Sequence, residues 1–477
     1  MTEKIKVALQ FAEQQNTEMV DLKFCDLFGR WHHITIPVSQ FDESIFVKGV
    51  AFDGSSVPGF KRLEAGDMVL IPDAETLLID KFWEQKTISF ICSAYEADTL
   101  ELFKNDPRNI AYRAEQFLCE TGIAEVSLWS PEFEFYIFDN ITYVNDINLA
   151  CYQIDSEEAD WNTGADEEQN LGYKIPRQGG YHAIPPLDNL YNLRAKMVKY
   201  IEESGIPVRY HHHEVGGPGQ SEIEIHHHPL RRCGDVTMTV KYIIKMAASE
   251  QQKTVTFIPK PLYNEAGSGM HIHVQLRKNG QNIFYDENGY ASLSELAMHF
   301  IGGVLKHGPA LLAFTNPSTI SYKRLVPGFE APVKAIFGLA NRSAAIRIPK
   351  YANTPETKRF EFRPPDATCN IYLAISALLM AGIDGVKNKI DPRKEGFGPY
   401  DINVFNIPKS ELDKIKSLPT SLKEALDALA EDHNFLLEGA IFSEQLIENW
   451  IDHKYYKEFN EVRSRPHPYE ISLYYDV

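Results

Sequence analysis

The chain has 477 residues, 44% hydrophobic and 24% charged, ordinary globular material with ample core, and its length suggests two to four domains or one large unit with a smaller companion. Its 48 Lys and Arg against 66 Asp and Glu leave a net charge of −18, which argues against non-specific nucleic-acid binding, although a local basic patch could still hold a phosphorylated ligand. No run reaches the ~18 apolar residues of a membrane span, MTEKIKVALQFAEQQ lacks a signal-peptide core, and cysteines 25, 92, 119, 151, 233 and 369 show no CxxC spacing, so we expect a soluble cytoplasmic protein with buried, reduced cysteines.

Residues 1–105 mix short strand-like runs with turn signals, in MVDLKFCDLFGRWHHITIPV, GVAFDGSSVPGF, MVLIPD and TISFICSAYE. A helix is expected over NDPRNIAYRAEQFLCETG, with Asp106 as N-cap, Pro107 in the first turn, Gly122 past the end, and Ile110, Ala114, Phe117 and Leu118 on one face. A domain boundary is placed just before it, giving units of 1–105 and 106–477. The acidic passage between 139 and 180 reads as a long surface loop. Further helices are expected over NLYNLRAKMVKYIEESG, DVTMTVKYIIKMAAS, ASLSELAMHFIGGVLKHG and the apolar run NIYLAISALLMAGIDGV.

Four strand-like segments share one pattern. SPEFEFYIF puts Glu132 and Glu134 opposite Phe133 and Phe135; GQSEIEIHH puts Glu222 and Glu224 opposite Ile223 and Ile225. GSGMHIHV puts His271 and His273 opposite Met270 and Ile272, and KRFEFRPPD puts Arg359, Glu361 and Arg363 opposite Phe360 and Phe362. A solvated face usually mixes Lys, Thr, Ser and Gln, whereas these rows hold only carboxylates, imidazoles and arginines. If they line one cavity, cations must sit among the carboxylates, since two like charges ~4 Å apart repel by ~4 kcal/mol even at an effective dielectric of 20.

Such a donor set suits Mg²⁺ or Mn²⁺ better than structural zinc, and nearby arginines, including Arg324, Arg342 and Arg347, suit a phosphorylated ligand. Metals with arginines are the equipment of phosphoryl transfer, and no GxxxxGK[ST] loop is present. The triplets His211 to His213 and His226 to His228 do not make zinc sites by themselves, because neighbours on a strand point to opposite faces. A binuclear hydrolase remains open on the HIH spacing alone.

From FDGSS through PEFEF, HHHEV, TFIPKPL, GSGMHIH, NPSTISYKRLVPGFEAP, NRSAAIRIP and RFEFRPPD to RPHPYEISLYYDV, the whole chain resembles the type I glutamine synthetases. The resemblance implies an α+β fold, with an N-terminal β-grasp domain and a catalytic domain whose curved antiparallel sheet is flanked by helices. It also implies twelve subunits in two stacked hexameric rings. It places one metal at Glu134, Glu214 and Glu222, and another at Glu132, His271 and Glu361. It gives the phosphates of ATP to Arg342, Arg347 and Arg359, with His273 near the nucleotide. L-glutamate goes to Arg324 and Arg363 beside Gly267. Ammonium goes to Tyr181 and Glu330, with Asp53 and Ser56 supplied by a neighbouring subunit.

Ala266 and Ile320 stand where the family usually has Asn, and Glu356 where it usually has a basic residue. These differences motivate the rival reading of a γ-glutamyl ligase for another amine. A catalytically silent relative would have no need to retain so many like charges. Phe405, in NVFNIP, occupies the position of a tyrosine that a subgroup modifies by adenylylation, and phenylalanine has no hydroxyl to modify. Mass spectrometry of the peptide covering Phe405 should therefore find no nucleotidyl adduct, even after incubation with an adenylyltransferase and ATP.

Overall fold

The computed structural model describes residues 2–166, 170–327 and 331–477. Glu330 lies outside the described residues, as does the side chain of Phe405.

Strands β1 (Met19–Cys25), β2 (Trp31–Pro37), β3 (Val50–Asp53), β4 (Asp67–Pro72), β5 (Leu78–Asp80) and β6 (Thr87–Glu96) form the first sheet, ordered β2-β1-β6-β4-β3 with β5 on β6. Strands β1 and β6 run parallel, and the helix Glu3–Gln14 seats Ala8 and Ala12 against Val20, Leu22, Leu70 and Phe90. This is the β-grasp unit.

The second sheet contains β7 (Val126–Phe138), and a separate two-stranded sheet pairs β8 (Asn140–Asn145) with β9 (Ala150–Asp155). The second sheet continues through β10 (Val208–His213), β11 (Gln220–Ile225), β12 (His228–Pro229), β13 (Thr254–Thr256), β14 (Ile272–Lys278), β15 (Gln281–Asn282), β16 (Phe337–Leu339), β17 (Ile346–Ile348) and β18 (Phe360–Phe362). Its order is β10-β11-β7-β14-β18-β17-β16, with β12 and β13 on β7 and β15 on β14. Every pair is antiparallel except β16 with β17.

One face of this sheet is apolar. Phe133, Phe135, Ile223, Ile225, Ile272, Phe360 and Phe362 are fully buried there, in one core with the helices Pro107–Glu120, Leu230–Ser249 and Ile371–Lys387. The helix Ile371–Lys387 is apolar nearly all round because neighbouring elements enclose it. With the apolar side chains committed to this core, the opposite face is left to the charged rows.

The expected helix after Asp106 forms as Pro107–Glu120: the Asp106 carboxylate accepts from Arg108 N at 2.9 Å, and Gly122 has φ +69°. Its other oxygen accepts from Ala94 N at 2.8 Å, which fastens β6 to the helix start. Two expectations need correction. The passage read as one loop contains the β8–β9 hairpin; it is exposed on both faces, so no polar and apolar alternation announced it. Cys119 and Cys151 are exposed rather than buried, while Cys25, Cys92, Cys233 and Cys369 are buried. No helix among the described residues is long and apolar enough to cross a membrane.

A buried guanidinium joins the first sheet to the helices packed on the second. Arg108 Nε and Nη2 donate to the Asp235 carboxylate at 2.8 and 2.9 Å, Nη2 also reaches Asp73 at 2.7 Å, and Nη1 reaches Ser93 Oγ at 3.0 Å. Tyr372 OH donates to the same Asp235 at 2.8 Å. Arg108→Met should lower the unfolding free energy by about 3–5 kcal/mol in a urea titration, because Asp235 is left buried without its cation. Arg108→Met/Asp235→Leu should recover most of that loss.

Candidate active site

The strand register builds the site. Across β10, β11 and β7, His212 pairs with Glu222 and Glu222 with Glu134, while Tyr210 pairs with Glu224 and Glu224 with Glu132. Across β14, β18 and β17, His273 pairs with Glu361 and Glu361 with Arg347. Because alternation is in phase on all these strands, the charged side chains collect on the face opposite the core. They surround a cavity of about 480 Å³ that Tyr181, Glu214, Ala266, Gly267, Arg324, Arg342 and Arg363 also line.

The charges in this cavity are unevenly compensated. His271 Nδ1 lies 2.9 Å from Glu132 Oε2, 3.5 Å from Glu361 Oε1 and 3.6 Å from Glu134 Oε1, and His273 Nε2 lies 2.8 Å from Glu132 Oε1. Arg363 Nη1 and Arg347 Nη1 donate to the two oxygens of Glu361 at 2.6 and 2.5 Å. Burial raises the pKa of Glu132, but its bonds to the two imidazoles outweigh burial and hold it well below the usual carboxylate range. Burial likewise opposes ionisation of Glu361, yet Arg363 and the imidazoles bring it down to about 2.

On the other side of the cavity the His212 imidazole stands off, with Nε2 3.6 Å from Glu222 Oε1. Burial first, then the charge of neighbouring carboxylates, pushes Glu214 and Glu222 well above the usual range. Carboxylates crowded in this way fit a divalent cation from solution. Ligand atoms of Glu132, His271 and Glu361 lie within 4.8 Å of one another; so do those of Glu132, Glu224 and His273, and those of His212, Glu214 and Glu222. Oxygen-rich sets with one imidazole each suit Mg²⁺ or Mn²⁺.

Most residues singled out from sequence meet here. Glu132, His271 and Glu361 form one group, and Glu214 with Glu222 another. Glu134 stands between them, accepting from Gly269 N at 2.7 Å. Arg324 Nη2 lies 3.2 Å from His271 Nε2. Arg359 and His273 are buried and do not line the cavity: Arg359 Nε donates to His273 Nδ1 at 3.3 Å, and Arg359 Nη2 is buried without a hydrogen-bond partner. Asp53 and Ser56 are not brought to the cavity of their own chain. They lie exposed on the β-grasp unit, where Asp53 accepts from Ser55 Oγ at 2.6 Å, Ser56 Oγ at 2.8 Å and Ser55 N at 2.8 Å, bonds that lower its pKa.

Glu224, placed with Glu222 on a charged row from the sequence, lines the cavity, and the site also contains residues not singled out for it: His212, Tyr210, Arg209 and Tyr351. Alternation could have found His212, since it lies opposite Glu222. Arg209 could not be found this way. A register shift between Val208 and Tyr210 brings it to Glu224, with which it forms an ion pair.

A β-grasp domain followed by a sheet that gathers carboxylates, imidazoles and guanidinium groups around one cavity defines an enzyme class that binds metal cations with anionic substrates. The particular family follows from comparison. Residues 16–97 match the glutamine synthetase β-grasp domain, and residues 104–474 the glutamine synthetase catalytic domain. The chain is 48% identical to the glutamine synthetase of Mycolicibacterium smegmatis, over 98% of this chain and 97% of that one. It is 46% identical to that of Frankia alni over the full length of both. The cryo-EM structure of Plasmodium falciparum glutamine synthetase matches with a TM-score of 0.89 and 27% identity, over 99% of each chain. The chain belongs to the glutamine synthetase family.

Glu361→Ala should reduce ADP formation at least ~10²-fold while circular dichroism retains the folded spectrum, because the arginines and His271 lose the anion that orients them. Parental turnover in this variant would remove Glu361 from the site.

Proposed function

We propose that this chain ligates ammonia to the γ-carboxylate of L-glutamate at the expense of ATP, through γ-glutamyl phosphate, giving glutamine, ADP and phosphate. The observation that carries the reading is the uneven charge of the cavity. Glu214 and Glu222 call for cations, while Arg359 Nη2 and Arg347 Nε are buried donors without partners. A metal-bound polyphosphate beside a carboxylate substrate answers both needs.

In this reading Glu134, Glu214 and Glu222 hold one Mg²⁺ or Mn²⁺ ion, and Glu132, His271 and Glu361 hold another. Bound there, divalent cations neutralise phosphoryl oxygens as charge moves between them. Arg342, Arg347 and Arg359 grip the ATP phosphates, with His273 beneath Arg359. Arg324 and Arg363, beside Gly267, clamp the glutamate so that its γ-carboxylate attacks the terminal phosphoryl group. Ammonium, held by Tyr181, Ser56, Asp53 and Glu330, gives a proton to Asp53. The resulting ammonia attacks the acyl carbon, and phosphate leaves.

Because Asp53 and Ser56 lie away from their own cavity, they complete the site of an adjacent copy, as in a homo-oligomer; we take this to be a dodecamer of two hexameric rings. We take 1–105 and 106–477 as the two domains and the cytoplasm as the location. Nucleic acid and membrane have no part in the reading.

A second reading, a γ-glutamyl ligase for another amine, is favoured by Ala266, which lines the cavity with a side chain too short to bond substrate. With ATP, Mg²⁺ and L-glutamate, ADP release should depend on ammonium and be matched one for one by glutamine measured by mass. ADP that appears only with a primary alkylamine or polyamine would establish the second reading instead.

A further inference from the structure

Behind Glu214 runs a chain of buried polar contacts for which the reaction above has no use. Glu158, in the acidic passage, is buried, and so is His213 at the end of β10. Glu158 Oε1 accepts from Asn189 N at 2.8 Å, and Oε2 lies 3.1 Å from His213 Nε2. On its far side His213 Nδ1 lies 2.7 Å from the backbone oxygen of Glu214. A carbonyl can only accept, so the bond to Glu214 O is made by Nδ1–H, which leaves Nε2 facing the Glu158 carboxylate.

The segment bearing Tyr181 is bonded to the backbone on either side of Glu214. His182 N donates to His213 O at 3.0 Å, and Gly180 N to Val215 O at 3.0 Å. A Cβ at Gly180 would fall 2.5 Å from both His213 Nδ1 and Glu214 O, so this backbone rests directly on the ring and on the carbonyl it bonds. Strand β10 lies at the edge of the sheet, with β11 as its sheet neighbour among the described residues, and its last residue, His213, is paired with Ser221.

We propose that Glu158 is a positioning residue. Acting through His213, it fixes the backbone at Glu214 and the Gly180–His182 segment, so that the Glu214 carboxylate and Tyr181 stay in the cavity. This inference rests on the reading of Glu214 as a metal ligand. Outer partners of metal ligands govern affinity by orienting the inner ones, and their loss typically weakens binding or activity about 10–100-fold.

The test is Mn²⁺ binding to the full-length assembled enzyme, followed by the electron paramagnetic resonance signal of free Mn²⁺, with no substrate present. Glu158→Ala should weaken one class of Mn²⁺ site about 10–100-fold. Glu158→Gln should stay near the parent, because its amide oxygen can accept from Asn189 N and its amide N–H can donate to neutral His213 Nε2. Parental Mn²⁺ affinity in Glu158→Ala, or an equal loss in Glu158→Gln, overturns the proposal. If the alanine variant does not fold, Glu158→Asp, one methylene too short to meet His213, should show the same selective loss, and parental affinity in it counts against the proposal. Glu214→Ala separates the two levels. If it binds the parental number of Mn²⁺ ions, the ligand reading fails; if it loses a site that Glu158→Ala keeps intact, only the positioning role fails.

Discussion

The structure depends on how a sheet face can carry many like charges inside a protein. Glu132, Glu134, Glu222, Glu224 and Glu361 all lie on one face and are all buried. Taking a carboxylate from water costs several kcal/mol unless a partner replaces the lost hydration. Near Glu361 and Glu132 the partners are internal, namely Arg347, Arg363, His271 and His273. Near Glu214 and Glu222 the neighbour is the His212 imidazole, 3.6 Å from Glu222, and the crowded carboxylates of this half fit cations from solution. Binding and preorganisation are thus two sides of one electrostatic arrangement, in which the protein neutralises only part of its own charge.

That arrangement needs a rigid support. The residues between the charged ones are Phe133, Ile223, Ile272, Phe360 and Phe362, and they enter the same core as the large buried helices. Each strand is pinned through its apolar side chains, so the charged ones are held at fixed spacing with little local freedom to relax. The Arg108 network carries this rigidity to the β-grasp sheet.

Much of this was legible in the sequence because alternation is a strong signal when one face is wholly apolar and the other wholly charged. PEFEF, SEIEI and FEF could be oriented without a structure for that reason. What alternation could not give was extent and company. KRFEFRPPD narrows to a strand at Phe360–Phe362, since Pro364 and Pro365 cannot continue a ladder. The β8–β9 hairpin was missed because neither of its faces is buried. Glu158, in a stretch that reads as solvated, is buried because His213 and Asn189 come to it from distant parts of the chain. Alternation likewise says nothing of Asp53 and Ser56, which lie exposed on the β-grasp unit, away from the cavity of their own chain.

The in-phase alternation of β7, β11, β14 and β18 also bears on how such a chain can change over generations. Inserting or deleting one codon within any of these strands would turn its phenylalanines and isoleucines toward the cavity and its glutamates toward the core. No small adjustment lies between the two outcomes, so the strands are closed to changes of length, however freely single residues are exchanged. Growth and loss of sequence must fall instead on connections such as the exposed hairpin of residues 140–155, where an added residue disturbs neither face. Families built on this sheet should therefore diverge in length at their loops while the spacing within each charged motif stays constant.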